Sequence, residues 1–324
     1  MRRDILDILQ CPVCGGGLKL KASQENSLEI RQGELKCLEC GKGFPVIDGM
    51  IDLMTDLHPW VGKSRTAYRR SKKTMTGSWT AAELARLVHL DRTYVDDSQT
   101  NYRQLLSRLP AGGKWAVDLG AGTCWSTAAL AGKGFRCVAV DISPDNKLEL
   151  GETFMAGGVY FDRILADMNR LPFRDRTFGL AVASAALHHS YSLEAAIGEV
   201  SRVLESGGRL ELANEPVKGL AESFLSREHG FGSGEQVPEK SYSLSRWLQI
   251  LEQKGFSPRI YFPDSIRNRL LISGFDRTHK FQGLAALFSI MAHSVPGLVF
   301  NEPVLRTGHF LLGLPLSLSG TKEK

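Results

Sequence analysis

Residues Trp115-Ala-Val-Asp-Leu-Gly-Ala-Gly-Thr123 constrain the fold of this chain more than any other stretch. An apolar strand runs into an acid, Asp118, and then into a turn whose two glycines, Gly120 and Gly122, stand one residue apart. Glycine lets a backbone turn tightly and approach a neighbour with no Cβ in the way. A helix is expected from Ser126, and its free N–H groups would face whatever lies above the turn. Tight strand-to-helix turns also use glycine for purely steric reasons, so the turn alone leaves a ligand site and plain folding geometry both open.

The residues that follow repeat the pattern. Phe135–Val140 reads as a second strand and ends in Asp141, about 20 residues past the loop, where a βαβ unit presents an acid to ribose hydroxyls. Arg163–Ala166 reads as a third strand ending in Asp167-Met168. Phe178–Ser184 reads as a fourth, followed by His188 and His189. Four polar strand ends in order fit the carboxyl edge of a doubly wound α/β sheet, where such folds bind ligands. Solvated loop acids explain any one of them, but not the ordered set.

Val117–Thr123, Asp141-Ile-Ser143, Ala166-Asp-Met-Asn-Arg-Leu-Pro-Phe173, Phe178–His189 and Arg202-Val-Leu-Glu-Ser-Gly-Gly-Arg-Leu210 together resemble the successive motifs of class I S-adenosylmethionine-dependent methyltransferases. The quinone-biosynthesis group is the closest in flavour, and the likeness covers Leu105 to Ile260. It implies a seven-stranded, Rossmann-like sheet and S-adenosylmethionine as methyl donor. Gly120 and Gly122 would then pass under the donor's methionine part, and Asp141 would hold its ribose. Asp167 would accept from the adenine amino group, with the Met168 N–H against the ring, and Ser184 would face the sulfonium. Asp118 counts among the donor-site acids. Cys124 stands where many members carry a third glycine, and Ser206 where a proline is common. His188 and His189 are the candidate general bases, the alternative being that they cap or orient their loop. Asn214 and Glu215, before Pro216, either meet the substrate or cap a turn. Tyr102 and Arg103, ahead of the first sheet strand of this region, are placed to meet the donor carboxylate.

Six cysteines are present, and four of them fall as Cys11-Pro-Val-Cys14 and Cys37-Leu-Glu-Cys40. Two such knuckles separated by a hairpin's length suit one tetrahedral zinc ion. Disulfides are the alternative, disfavoured in a cytoplasmic chain, and ordinary buried thiols are another. Four thiolates leave no open coordination position, so the metal would be structural. Leu35–Ile51 resembles the small zinc-ribbon proteins that activate certain tRNA and protein methyltransferases. The expected organisation is a zinc-ribbon module over 1–57, a helical and basic linker and lid over 58–104, and a methyltransferase domain over 105–324.

The chain has 324 residues and a formal net charge of +5, which permits anionic partners without demanding them. No N-terminal apolar run resembles a signal peptide, and a cytoplasmic location is expected. The basic run from Lys63 to Lys73, with Trp60, Tyr68 and Trp79 nearby, suits RNA, with a solvated linker as the plainer explanation. Thr80–Leu90 reads as a capped helix that would cover the donor pocket. Ser243–Lys254 reads as an amphipathic helix stopped by Gly255, Phe256–Phe262 as a strand, and Leu314–Ser319 as the last, antiparallel strand. Between the last two strands, 264–310 forms an insertion. Its stretch 281–300 carries no Lys, Arg, Asp or Glu. That stretch is interrupted by Gln282, His293, Ser294 and Pro296, so it is read as a pocket wall or dimer contact, or as a peripheral membrane contact, rather than as a spanning helix. The function expected is methyl transfer to a small-molecule, glycan or lipid-linked acceptor. The alternatives are methylation of an RNA base and a non-catalytic binding protein.

Overall fold

The parallel core follows from four short runs buried along nearly their whole length, the mark of strands covered on both sides. They are β5 (Trp115–Leu119), β6 (Arg136–Asp141), β7 (Asp162–Leu165) and β8 (Phe178–Ser184). A computed structural model gives the arrangement, and it describes residues 1–55, 58–75, 97–142, 158–220, 239–272, 296–312 and 314–323. β6 and β8 both flank β5 in parallel, and β7 lies outside β6. The chain therefore steps outward in one direction through β6 and β7, then returns to the other side of β5. Such a reversal opens a crevice at the carboxyl ends of β5 and β8.

β9 (Leu204–Glu215) runs parallel to β8, and its register breaks between the Leu204 and Arg209 pairings. Gly207 within that break has φ +74°, so the Gly-Gly turn bulges the strand instead of ending it. β10 (Phe256–Tyr261) and β11 (Leu316–Lys322) complete the sheet, with β11 antiparallel between β9 and β10. The seven strands from β5 to β11 have the expected Rossmann-like order with one reversed member.

The first fifty residues add four strands to that sheet. β1 (Leu18–Glu25), β2 (Ile30–Cys37), β3 (Gly43–Ile47) and β4 (Met50–Asp52) form an antiparallel meander, and β4 then pairs in parallel with β7 through Ile51↔Ile164. One sheet of eleven strands results among the described residues. Its core is continuous: Ile5 from the 3-10 turn Arg3–Asp7, Leu35 from β2 and Phe44 from β3 share a buried cluster with Ile164, Phe173 and Val140. Arg163, 1% exposed, crosses the junction to the Glu29 carboxylate at 3.2 Å and to the Asp48 carbonyl at 2.9 Å.

Helix α1 (Pro59–Met75) connects the two parts, and α2 (Asp97–Ser107) packs on β9. α3 (Trp125–Gly132) packs on β5 and β6, α4 (Leu193–Val203) on β9, and α5 (Leu244–Gln253) on β10 and α4. Ser192 and Ser243 cap α4 and α5 by accepting from the N–H groups of Ala195 and Arg246. α6 (Asp264–Ile272), the short α7 (Pro296–Val299) and α8 (Glu302–Leu312) lie between β10 and β11. The expected lid helix at 80–90 and the apolar stretch 281–295 fall outside the described residues. No helix among the described residues is long and apolar enough to cross a membrane.

Candidate active site

The glycine turn is held from below and from the side. Asp118, at the end of β5, is 1% exposed and accepts from the Ser126 and Thr127 hydroxyls at 2.6 and 2.7 Å. Burial raises its carboxyl to about 6, against the pull of those two hydroxyls. Asp118 thus ties the start of α3 to the strand end and stabilises the loop rather than facing the open crevice. Above it, Gly120 and Gly122 have φ of +67° and +53°. A Cβ on Gly120 would meet that of Ala186 at 2.6 Å, whereas one on Gly122 would meet nothing closer than 4.0 Å. Gly120 is glycine for packing, and Gly122 leaves room above the turn. Cys124, at the N-terminus of α3, has φ +62° and is buried, so a side chain occupies a left-handed position that favours glycine.

Asp141, at the end of β6, accepts from the Gly122 N–H at 3.0 Å, which locks the loop to the neighbouring strand. One strand further out, Asp167 accepts from the Asn169 N–H at 2.8 Å, and burial raises its carboxyl above the usual range. Asp167 lines a cavity of about 280 Å³. Met168 is partly buried against the core, its methyl end near the Gly120 turn. The acids Asp141 and Asp167 and the open space over Gly122 fit a ligand with a polyhydroxylated centre and a hydrogen-bond-donating ring, as S-adenosylmethionine has.

On the other side of β5, the end of β8 carries the two histidines in a short 3-10 turn, Leu187–His189. His188 is 6% exposed, and its Nδ1 lies 2.9 Å from Glu215 Oε2. Glu215, fully buried at the end of β9, also accepts from the N–H groups of Ala186, Leu187 and His188 at 2.9–3.2 Å. Burial opposes ionisation, but the His188 ring and these N–H groups hold the Glu215 carboxyl below the usual range. An ionised Glu215 fixes the proton of His188 on Nδ1 and leaves Nε2 as the basic atom. His189 is half-buried, its ring 4.0 Å from that of His188, and its carbonyl accepts from the Trp60 indole N–H at 2.8 Å. His188, His189 and Glu239 bring one ligand atom each within 4.8 Å of one another, a set that suits a divalent cation as well as a proton.

Of the two roles weighed for Glu215, substrate contact or turn cap, the structure shows a cap, with both oxygens spent on the histidine turn. Asn214, with φ +63°, donates to Ser184 Oγ and to the Ser98 carbonyl, both at 3.0 Å, and accepts from Asn101. Ser184 therefore sits in a fixed polar row at the crevice. Tyr102 is fully buried and donates to the Ser126 carbonyl at 3.0 Å, which turns it away from a donor carboxylate.

At the N-terminal end, the Sγ atoms of Cys11, Cys14, Cys37 and Cys40 lie within 4.8 Å of one another. Cys11 and Cys40 are 3.7 Å apart, Cys14 and Cys37 3.5 Å, and no disulfide joins them. Tetrahedral zinc–thiolate bonds of about 2.3 Å place sulfurs about 3.8 Å apart, close to what is seen. Within the set the Cys37 thiol comes down to about 6, the Cys40 N–H being the largest influence, while the thiols of Cys11, Cys14 and Cys40 go up. Four converging cysteines fit zinc binding.

Two family models match the chain. One, described as a methyltransferase domain, spans residues 117–212, and the other, described as a Trm112p-like protein, spans 2–49. The demethylmenaquinone methyltransferase of Clavibacter sepedonicus is 37% identical over 192 residues, 53% of this chain and 74% of that protein. Its namesake from Corynebacterium glutamicum is 35% identical over 113 residues, and there the chain spans only 45% of the relative's length. Among solved structures, a complex of the Haloferax volcanii Trm112 methyltransferase activator with a methyltransferase has a chain similar at TM-score 0.51. At 17% identity, over 82% of this chain and 98% of that one, the likeness is one of fold.

Proposed function

We propose, for a chain that belongs to the S-adenosylmethionine-dependent methyltransferases and carries a Trm112-like N-terminal part, that the methyl acceptor is a small-molecule, glycan or lipid-linked compound whose nucleophilic atom must first lose a proton. One observation carries this: the buried His188–Glu215 pair at the acceptor side of the crevice, with Nδ1 held at 2.9 Å. A nucleophile that is already free needs no such pair, whereas a hydroxyl or carbon acid does. Demethylmenaquinone, the compound named for the curated relatives, falls within the proposed class.

S-adenosylmethionine supplies a methyl on a sulfonium that leaves as a neutral thioether. The residues of the chain do the rest. Gly120 lets the turn pack on Ala186 and Gly122 gives the donor room, Asp141, Asp167 and Met168 hold its nucleoside, and Ser184 borders the reacting centre. His188 takes the acceptor proton at Nε2, and Glu215 stabilises the imidazolium that forms. Holding acceptor and methyl collinear in a closed crevice supplies most of the acceleration. Zinc at Cys11, Cys14, Cys37 and Cys40 has a structural role, since four thiolates fill its coordination.

The test is transfer of labelled methyl from the donor to a bacterial lipid and metabolite extract and, in parallel, to total RNA. Label in the organic or small-molecule fraction is expected. Label confined to RNA would assign the acceptor to nucleic acid, with the exposed Lys63 end of α1 and the Trm112-like part as its grip.

A further inference from the structure

The 280 Å³ cavity beside Asp167 opens at the seam where β4 meets β7, and both halves of the chain build it. Its size is near the lower end of small-molecule pockets, which start at roughly 300 Å³. Pro12, inside the first cysteine knuckle, Leu53, just past β4, and Asp167 and Arg170, past β7, all line it. His58 and Tyr191 close it as a stacked pair, with ring centroids 4.0 Å apart and planes inclined by 16°. Arg170 also donates to the Val13 carbonyl at 3.1 Å, so the knuckle and the cavity wall are joined by a direct hydrogen bond.

The lining selects its occupant. Flat rings and a proline favour a flat heterocycle. The Asp167 carboxylate, desolvated on the cavity wall, calls for an N–H donor on that ring's edge. Adenine has both. We propose that the purine end of the donor reaches this seam, and that Pro12 and His58, from the cysteine module and its connector, bind the donor together with Tyr191. The proposal rests on the methyltransferase function and adds to it donor contacts from outside the doubly wound sheet. It also gives the cysteine module a part in donor binding: the knuckle that carries Cys11 and Cys14 carries a wall of the purine site between them.

Calorimetric titration of the full, zinc-loaded chain with S-adenosylhomocysteine tests this. His58→Ala, which removes the stack, is expected to raise Kd at least tenfold. Thr55→Phe, which fills the cavity, should do the same while leaving the thermal midpoint in place. Leu38→Ala, at the exposed tip of the second knuckle, serves as the control and should bind as the parent does. Tight binding by the parent, with both cavity variants within twofold of it, would overturn the purine site and leave the methyltransferase function standing. No binding by the parent would overturn both.

Discussion

His188 and Glu215 are 27 residues apart in the chain and 2.9 Å apart in space. The pairing follows from the sheet: Ser184 registers against Ala213, so the turn just beyond β8 meets the last residue of β9. Glu215→Gln keeps an acceptor for the Ala186 and Leu187 N–H groups but removes the charge behind the imidazole. Turnover is expected to fall by about 10²-fold, toward the lower end of what a general base contributes, with S-adenosylhomocysteine affinity unchanged. His188→Ala should lose at least as much. Wild-type turnover in His188→Ala at saturating donor would remove the proton-acceptor role. The two loop glycines make a second pair. Gly120→Ala forces two Cβ atoms to 2.6 Å and should unfold or displace the loop. Gly122→Ala adds only the left-handed backbone penalty, about 1 kcal/mol, and should leave a folded protein whose donor affinity drops because the methyl fills the space over the turn. Calorimetry beside a melting curve separates the two. The glycine spacing and the acids after each strand were legible in the sequence. The destination of Glu215 was not, because it depends on strand register, and neither was the inward turn of Tyr102.

Elements with a local signal are where sequence and structure agree best. Ser243 ahead of Leu244, Trp247, Leu248 and Leu251 marks a capped, one-sided helix, and α5 begins there with those four residues buried. β10 and β11 likewise sit where alternation and a stopping glycine place them. The parallel pairing of β4 with β7 has no such signal, since three residues against a strand more than a hundred positions away leave no periodicity to read. α8 is held near its end by a local contact that helical periodicity does not reveal. His309, fully buried, donates from Nδ1 to the Leu314 carbonyl at 2.8 Å, and burial lowers its pKa to about 4. The unfolded chain takes up that proton near pH 6.5. The folded state therefore keeps its full stability above pH 6.5 and loses it as pH falls toward 4, by on the order of 3 kcal/mol. Urea midpoints measured between pH 7 and pH 4 should fall over that window, and His309→Gln should flatten the part of the slope due to this residue. An unchanged slope in the variant would show that α8 does not depend on a neutral His309.

Among the described residues one sheet runs through both parts of the chain and one buried cluster crosses its seam, and this decides how the cysteine module behaves. Beyond Ile51↔Ile164, the Leu53 N–H bonds to the Leu165 carbonyl at 2.9 Å, and Gln10 and Arg174 exchange backbone bonds with Pro172 and Ile8 at 3.0 and 2.9 Å. Glu29 and Arg163 are buried as a pair between the two parts, and separating them would strand two charges in an apolar surround. A zinc module joined by a flexible linker could lose its metal and unfold alone. Here the knuckles brace β2 and β3, those strands brace β4, and β4 covers the edge of β7, whose end carries Asp167. Structural zinc contributes about 10–16 kcal/mol of apparent binding energy in small modules, as much as the net stability of an ordinary domain. Stripping the ion should therefore weaken the whole sheet. One zinc per chain is expected by elemental analysis, and chelation should lower the thermal midpoint by at least roughly 10 °C in a single transition. Donor affinity should fall in step, because Pro12 moves with the knuckle. Two separate transitions, with the upper one and the S-adenosylhomocysteine affinity both unchanged, would mean that the seam transmits nothing and that the cysteine module is only a neighbour of the catalytic sheet.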